Sequence, residues 1–201
     1  MVGELDAGMV ARCRRGDPAA LRVLIERYQD RVHGLCYAMA GGADADDLTQ
    51  ETFVRVLRAI AKFDGDGAAT LGTWILTIAR RQCQDRVRSA RFRHEIAVDA
   101  VEAVSERLPP DEALDEARRD QRLRAAVARL PEEQRAAMAL RAWGELEYEE
   151  IAAVEGVPIG TVRSRLSRAR ASLSRMLGND VQVVEAEVVA NDEEWRHAVD
   201  E

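Results

Sequence analysis

The stretch "IAAVEGVPIGTVRSRLSRARASL", from Ile151 to Leu173, changes character at its middle. Up to Pro158 it is mostly apolar, with Glu155 its one acidic residue; after Pro158 come four arginines and no acid. Gly156 stands where a turn between two helices needs a left-handed residue, which glycine supplies without steric cost. Pro158 fixes the entry of the second helix, and Ala152 is small where that helix must cross closely. Val162, Leu166, Ala169 and Leu173 then recur at spacings of four, three and four, which is one stripe of a helix. The far side carries Gly160, Ser164, Ser167 and Arg168, flanked by Thr161 and Arg163. A recognition helix divides in this way, one face holding the fold and the other entering the major groove. With a short helix over Tyr148–Val154, the spacing predicts a helix-turn-helix. The plainer alternative is an amphipathic helix with a solvated basic face, and the motif by itself could belong to many regulators.

Outward from this stretch the chain reads as helix almost throughout. Glu116–Leu130 is helical, and Pro131 restarts a helix that runs to about Trp143. Ala7–Ala40 reads as helix, with Asp17-Pro18 as a start signal and Leu21, Leu24, Ile25, Tyr28, Val32, Leu35 and Cys36 at spacings of three and four. Gly41-Gly42 breaks it. In "DADDLTQETFVRVLRAIAKF", Asp44 can cap, and Asp46 and Asp47 favour a first turn. Phe53, Val56, Leu57 and Ile60 give that helix one apolar face. The glycine-rich "DGDGAATLG" separates it from "TWILTIARRQCQDRVRSARFR", apolar at its start and basic at its end. His94–Asp115 is acidic, contains Pro109-Pro110 and reads as a linker. The segment after Gly178 is an acidic tail in which "VQVVEAEVV" has some strand character. The expected fold is all-α, with two helical domains joined by an acidic linker.

Charge and composition restrict what such a chain does. The net charge of −7 looks wrong for a nucleic-acid binder. Yet Gly178–Glu201 holds eight acidic residues against one basic, so the first 177 residues balance at 28 of each sign. Every basic residue but Lys62 is arginine, the side chain suited to phosphates and base edges. No apolar run approaches the roughly 20 residues of a membrane span. The N-terminus lacks an apolar run after a basic start, so a cytoplasmic location is expected. Cys13, Cys36 and Cys83 are far apart, as are His33, His94 and His197, so no metal or cofactor is expected and the thiols read as reduced, half-buried helix residues. No catalytic triad or phosphate loop is present, and an enzyme is not expected.

Two motif sets in order carry a resemblance. "DADDLTQETFVRVLRAIAKF" followed by "LGTWILTIARRQCQDRVRSAR" resembles the second conserved region of bacterial sigma factors, and "LPEEQRAAMALRAWGELEYEEIAAVEGVPIGTVRSRLSRARASL" resembles their fourth. Two such regions without a third resemble the extracytoplasmic-function group (group IV) of the sigma-70 family. The resemblance divides the chain into a region 2 domain over 7–93, a linker over 94–115, a region 4 domain over 116–178 and an acidic extension over 179–201.

The resemblance implies a non-catalytic subunit that gives core RNA polymerase its promoters in a stress or signal response. Asp47, Gln50, Glu51, Phe53, Val54 and Leu57 match the motif that docks on the clamp helices of the β′ subunit; the β flap is the other core contact. Asp64, Thr70, Trp74, Arg80, Arg81, Gln84 and Arg88 fall in the loop and helix that recognise and open the −10 element. An unstacked base needs an apolar or π surface and a cationic track, which Arg80, Arg81, Arg86, Arg88, Arg91 and Arg93 provide. The loop departs from the family pattern in being poor in Ser, Phe and Arg. Thr161, Arg163, Ser164, Ser167 and Arg168 are the expected −35 contacts. An anti-sigma factor is a further expected partner. A helix-turn-helix regulator that acts without polymerase remains the rival on sequence grounds, and it does not need the Asp47–Leu57 motif.

Overall fold

The computed structural model describes residues 4–64, 69–96 and 121–178, with side chains from 90 to 96 left out. Every regular element among them is helical. The elements are α1 (Ala7–Arg14), α2 (Pro18–Ala40), α3 (Gly42–Ala59) with a 3-10 turn (Ile60–Lys62), α4 (Leu71–Ile96), α5 (121–128), α6 (Glu132–Ala142), α7 (Tyr148–Glu155) and α8 (Ile159–Leu177).

The stretch read as one helix from Ala7 to Ala40 is two. Gly16, at φ 78°, breaks it, and Asp17 caps the restart by accepting from the backbone N–H groups of Ala19 and Ala20 at 3.0 and 3.4 Å. Pro18 occupies the first turn, where its missing N–H costs nothing. Arg12 donates to Asp17 at 2.8 Å, and this bond holds the Asp17 carboxyl below its usual range. Asp44 does not cap α3, which already begins at Gly42; it sits in the first turn and pairs with Arg86 of α4. The basic helix α4 runs on to Ile96, into the start of the segment read as linker. The rest of the linker and the acidic tail lie outside the described residues.

Helices α1–α4 pack around Leu24, Tyr28, Leu35, Leu48, Val56, Ile75 and Leu76, all essentially buried. The three cysteines are fully buried rather than half-buried, and all are free. The Cys83 thiol donates to Cys36 Sγ at 3.6 Å; this bond, together with burial, raises the Cys83 thiol, and the same bond lowers Cys36 against the opposing effect of burial. In α5–α8 the core is Met138, Leu140, Leu146, Ile151 and the α8 stripe. Arg141, itself buried, ties the α6–α7 turn by donating to the Leu146 carbonyl at 3.0 Å and pairing with Glu147 at 2.9 Å.

The two groups of helices also pack against each other, α2 on α6 and α4 on α7. Gly34 of α2 makes room for this: a Cβ there would come within 2.5 Å of the Trp143 ring. Arg31 donates to the Gly144 carbonyl, and Arg124 lies over the Tyr37 ring at 5.3 Å.

Candidate nucleic-acid interface

The α7–α8 turn has the form expected of a helix-turn-helix. Gly156 closes α7 in the left-handed region (φ 67°, ψ 36°), and the Val157 N–H bonds back to the Ala152 carbonyl at 3.1 Å. Pro158 precedes α8, and the Pro158 carbonyl accepts from Thr161 N–H at 2.9 Å. Val162, Leu166, Ala169 and Leu173 are buried as one stripe. On the other side Gly160, Arg163, Ser167 and Arg168 are exposed, and Thr161 and Ser164 are half-exposed. The Ser164 hydroxyl donates to the Thr161 carbonyl at 2.9 Å. Arg165 is different: it turns back and donates to Glu155 at 3.2 Å. Helix α8 therefore presents one short cationic face near its N-terminal half, with Arg163 and Arg168 at its edges.

On α3, Asp47, Gln50, Val54 and Leu57 follow one another at spacings of three, four and three, and all four are exposed. Val54 and Leu57 keep 45% and 38% of their surface in water, rare for large apolar side chains among the described residues. Leu57 belongs both to the apolar face and to the expected docking set; a stripe wider than the core beneath it leaves this edge outside. Phe53, expected in the docking set, points inward at 7% exposure, because its position falls on the side of α3 that faces the core. Glu51 is exposed and pairs with Arg86 at 3.3 Å.

The third set is only partly assembled. Trp74 is half-buried, its ring 5.1 Å from that of the buried Phe63. Asp64 and Thr70 are exposed at the two ends of the loop, whose residues 65–68 lie outside the described part. Thr70 caps α4 by accepting from Thr73 N–H at 3.1 Å. Arg81 and Arg88 are exposed and Gln84 half-exposed, at spacings that keep them on one face of α4. Arg80 does not join them. One residue around the helix from Arg81, it is 7% exposed and donates to Glu155 of α7 at 2.7 Å. Beside it, Thr73 donates to Glu150 of α7 at 3.3 Å. Sequence reasoning did not single out Glu150 or Glu155 as partners of α4, and helical periodicity has no way to indicate contacts between residues 77 and 75 positions apart.

Among the described residues no group of three or more His, Cys, Asp or Glu side chains could hold a metal. Within the same residues no helix is long and apolar enough to cross a membrane.

Comparison with known proteins agrees with this geometry. Residues 24–93 match the family model for Sigma-70 region 2, and residues 120–173 match that for Sigma-70, region 4. The RNA polymerase sigma-H factor of Pseudomonas aeruginosa is 34% identical over 185 residues, covering 87% of this chain and 94% of that protein. The ECF RNA polymerase sigma-E factor of Escherichia coli is 37% identical over 179 residues, covering 84% and 92%. Among solved structures, CnrH in complex with the cytosolic domain of CnrY superposes with a TM-score of 0.62 at 25% identity, over 86% of this chain and 96% of that one. The sigma factor RpoE in complex with the anti-sigma factor NepR, from Bartonella quintana, gives 0.65 at 25% identity, over 78% and 95%. Two region models matched in order and relatives aligned over nearly their whole length place the helix-turn-helix in its setting: the chain belongs to the extracytoplasmic-function group of sigma-70 family RNA polymerase sigma factors, which direct core polymerase to promoters and initiate transcription.

Proposed function

We propose that three separate surfaces of this sigma factor divide the work of initiation. Thr161, Arg163, Ser164, Ser167 and Arg168 read the −35 element from the major groove. Arg81, Gln84 and Arg88 track the −10 strand, with Trp74, Asp64 and Thr70 at the mouth of the loop that takes up an unstacked base. Asp47, Gln50, Val54 and Leu57 dock on the β′ clamp helices, with Glu51 at the edge of that face, while the region 4 domain meets the β flap. The region 2 domain covers 7–93, the linker 94–115 and the region 4 domain 116–178. The protein acts in the cytoplasm as a non-catalytic subunit in a stress or signal response, and an anti-sigma factor is a partner of the kind seen with the structural neighbours.

The observation that carries the docking surface is the exposed pair Val54 and Leu57 among acceptors on α3. A solvent-facing helix surface gains nothing from two large apolar side chains, whereas a partner helix buries them. A DNA-binding regulator that acts alone has no use for such a face. Run-off transcription with core polymerase on a promoter library tests the assignment. Transcripts from a defined set of promoters are expected, and they should be lost when Val54 and Leu57 are both replaced by Ser. Unchanged transcription by that double variant would remove the docking surface.

A further inference from the structure

We propose that a segment of the acidic C-terminal tail, residues 181–189, docks on its own chain in a groove between α5 and the C-terminal end of α8. The groove has a volume of about 290 Å³ and is lined by Arg122, Ala125, Ala126, Arg129, Met176 and Leu177. On α5 and the turn after it, the four lining residues recur at spacings of three, one and three, which is one face of a helix. The two alanines give that face a shallow apolar floor. The two arginines stand at its ends, about 10 Å apart at 1.5 Å per residue. Met176 forms the opposite wall and keeps 39% of its surface in water. An alanine floor beside an exposed, adaptable methionine is a surface that apolar side chains can cover.

Position and charge commit the groove to the tail. Gly178, at φ 60°, ends α8 directly after two of the groove residues, so the tail leaves from the groove's rim. Residue 181 is about 10 Å of extended chain from Gly178 and residue 189 about 37 Å, enough to span the groove from end to end. The walls are cationic throughout: residues 121–130 hold three arginines and no acid, and residues 159–178 hold five and no acid. The Arg129 guanidinium is exposed and has no ion pair among the described residues. Against this, 181–189 supplies five valines with Glu185 and Glu187 between them. Valine on the alanine floor and a carboxylate toward each arginine satisfies both kinds of surface. The contact is intramolecular, and a short tether gives it an effective concentration on the order of millimolar, so a modest affinity populates it.

Docking also decides where the acids sit. Met176 lies eight residues beyond Arg168, about 12 Å along α8 and so more than the ~8 Å over which physiological salt screens charge. A tail held there keeps its carboxylates from Arg163 and Arg168; an undocked tail competes with DNA phosphates for them. This consequence rests on the −35 role proposed above for α8, and the docking itself does not.

The test is hydrogen exchange of the full chain, read by mass spectrometry beside a synthetic peptide of residues 179–201. Amides of 181–189 should exchange about tenfold or more slowly in the chain than in the peptide. Arg122→Glu with Arg129→Glu should remove that protection, and adding Glu185→Arg with Glu187→Arg should restore it. Ala125→Trp fills the groove without altering its charge and should remove the protection as well. Amides of the α8 stripe report folding in each protein, and if the paired arginine variant does not fold, Ala125→Trp decides alone. Peptide-like rates over 181–189 in the unaltered chain would overturn the proposal, as would protection that survives every groove variant. Protection of the groove that grows with protein concentration identifies a second copy, and protection gained only with core polymerase identifies that partner; either result displaces the tail as occupant. None of these readings uses promoter binding, so a failure of the −35 assignment would show in DNA binding and leave the exchange result intact.

Discussion

Helices α8 and α4 have much the same composition, yet their arginines end in different states. On α8, Arg163 and Arg168 stand in solvent beside Ser167, whereas Arg165 is tied to Glu155 and Arg170 to the Tyr148 hydroxyl. On α4, Arg81 and Arg88 are exposed, Arg86 is paired with Asp44 and Glu51, and Arg80 is buried against Glu155. The difference lies in the neighbours. Helix α8 leans on α6 and α7 with one stripe and leaves its other side open. Helix α4 is packed by α2 and α3 on one side and by α7 on another, so part of its cationic surface becomes interior. Helical spacing assigns a cation to a face, and the elements packed around the helix decide whether that face is free.

The sharpest way to break this comparison is to exchange the faces of α8. Leu166→Ala removes a fully buried side chain from the stripe and should destabilise the region 4 helices by about 2–5 kcal/mol. Thermal unfolding of the full chain should show the loss. A change within about 0.5 kcal/mol would mean that the stripe does not hold the fold. Next is α3, where exposed and buried apolar residues alternate in the same way. Replacing Val54 and Leu57 together by Ser should weaken competition for core polymerase by roughly 2–3 kcal/mol, the worth of the apolar area a partner would cover. Unfolding should barely move, because both side chains already face water. Phe53→Ala should behave in the opposite sense, with a large loss of stability whatever the partner.

How far the sequence discloses the molecule follows from the same distinction. The α7–α8 turn is legible because its signals are local: Gly156 for the left-handed residue, Pro158 for the helix start, and a stripe at spacings of three and four. The break at Gly16 and the cap at Asp17 are local too, although apolar spacing continuing through them hides the break. Leu57 and Phe53 show the limit. Both lie on the apolar side of α3, and only the position of α2 and α4 decides that Phe53 is covered and Leu57 is not. Arg80 is further from reach, since its partner Glu155 sits on the other group of helices.

Arg168→Ala is the third measurement, and it tests the free face of α8. A base-edge contact is worth about 1–3 kcal/mol, and its loss should relax specificity at one position of the −35 element. Core polymerase competition should be unchanged, because Arg168 faces away from the stripe and from α3. Equal binding to all −35 variants before and after the substitution would take Arg168 off the reading surface.

The smallest expected effect separates the neighbours Arg81 and Arg80. Arg81 is exposed, so its role on a −10 strand is a phosphate contact that releases about one counterion. Arg81→Ala should therefore lower the slope of log affinity against log salt by about one unit and weaken binding to all sequences alike. The measurement is a salt titration of promoter binding by the assembled holoenzyme and by the free protein. Arg80→Ala removes a charge that packing against Glu155 keeps from solvent, so in the free protein it should leave the salt slope unchanged. Equal slope changes for both variants in the free protein would mean that Arg80 reaches DNA without any rearrangement. The contrast between the buried and the exposed arginine of α4 would then have no functional content.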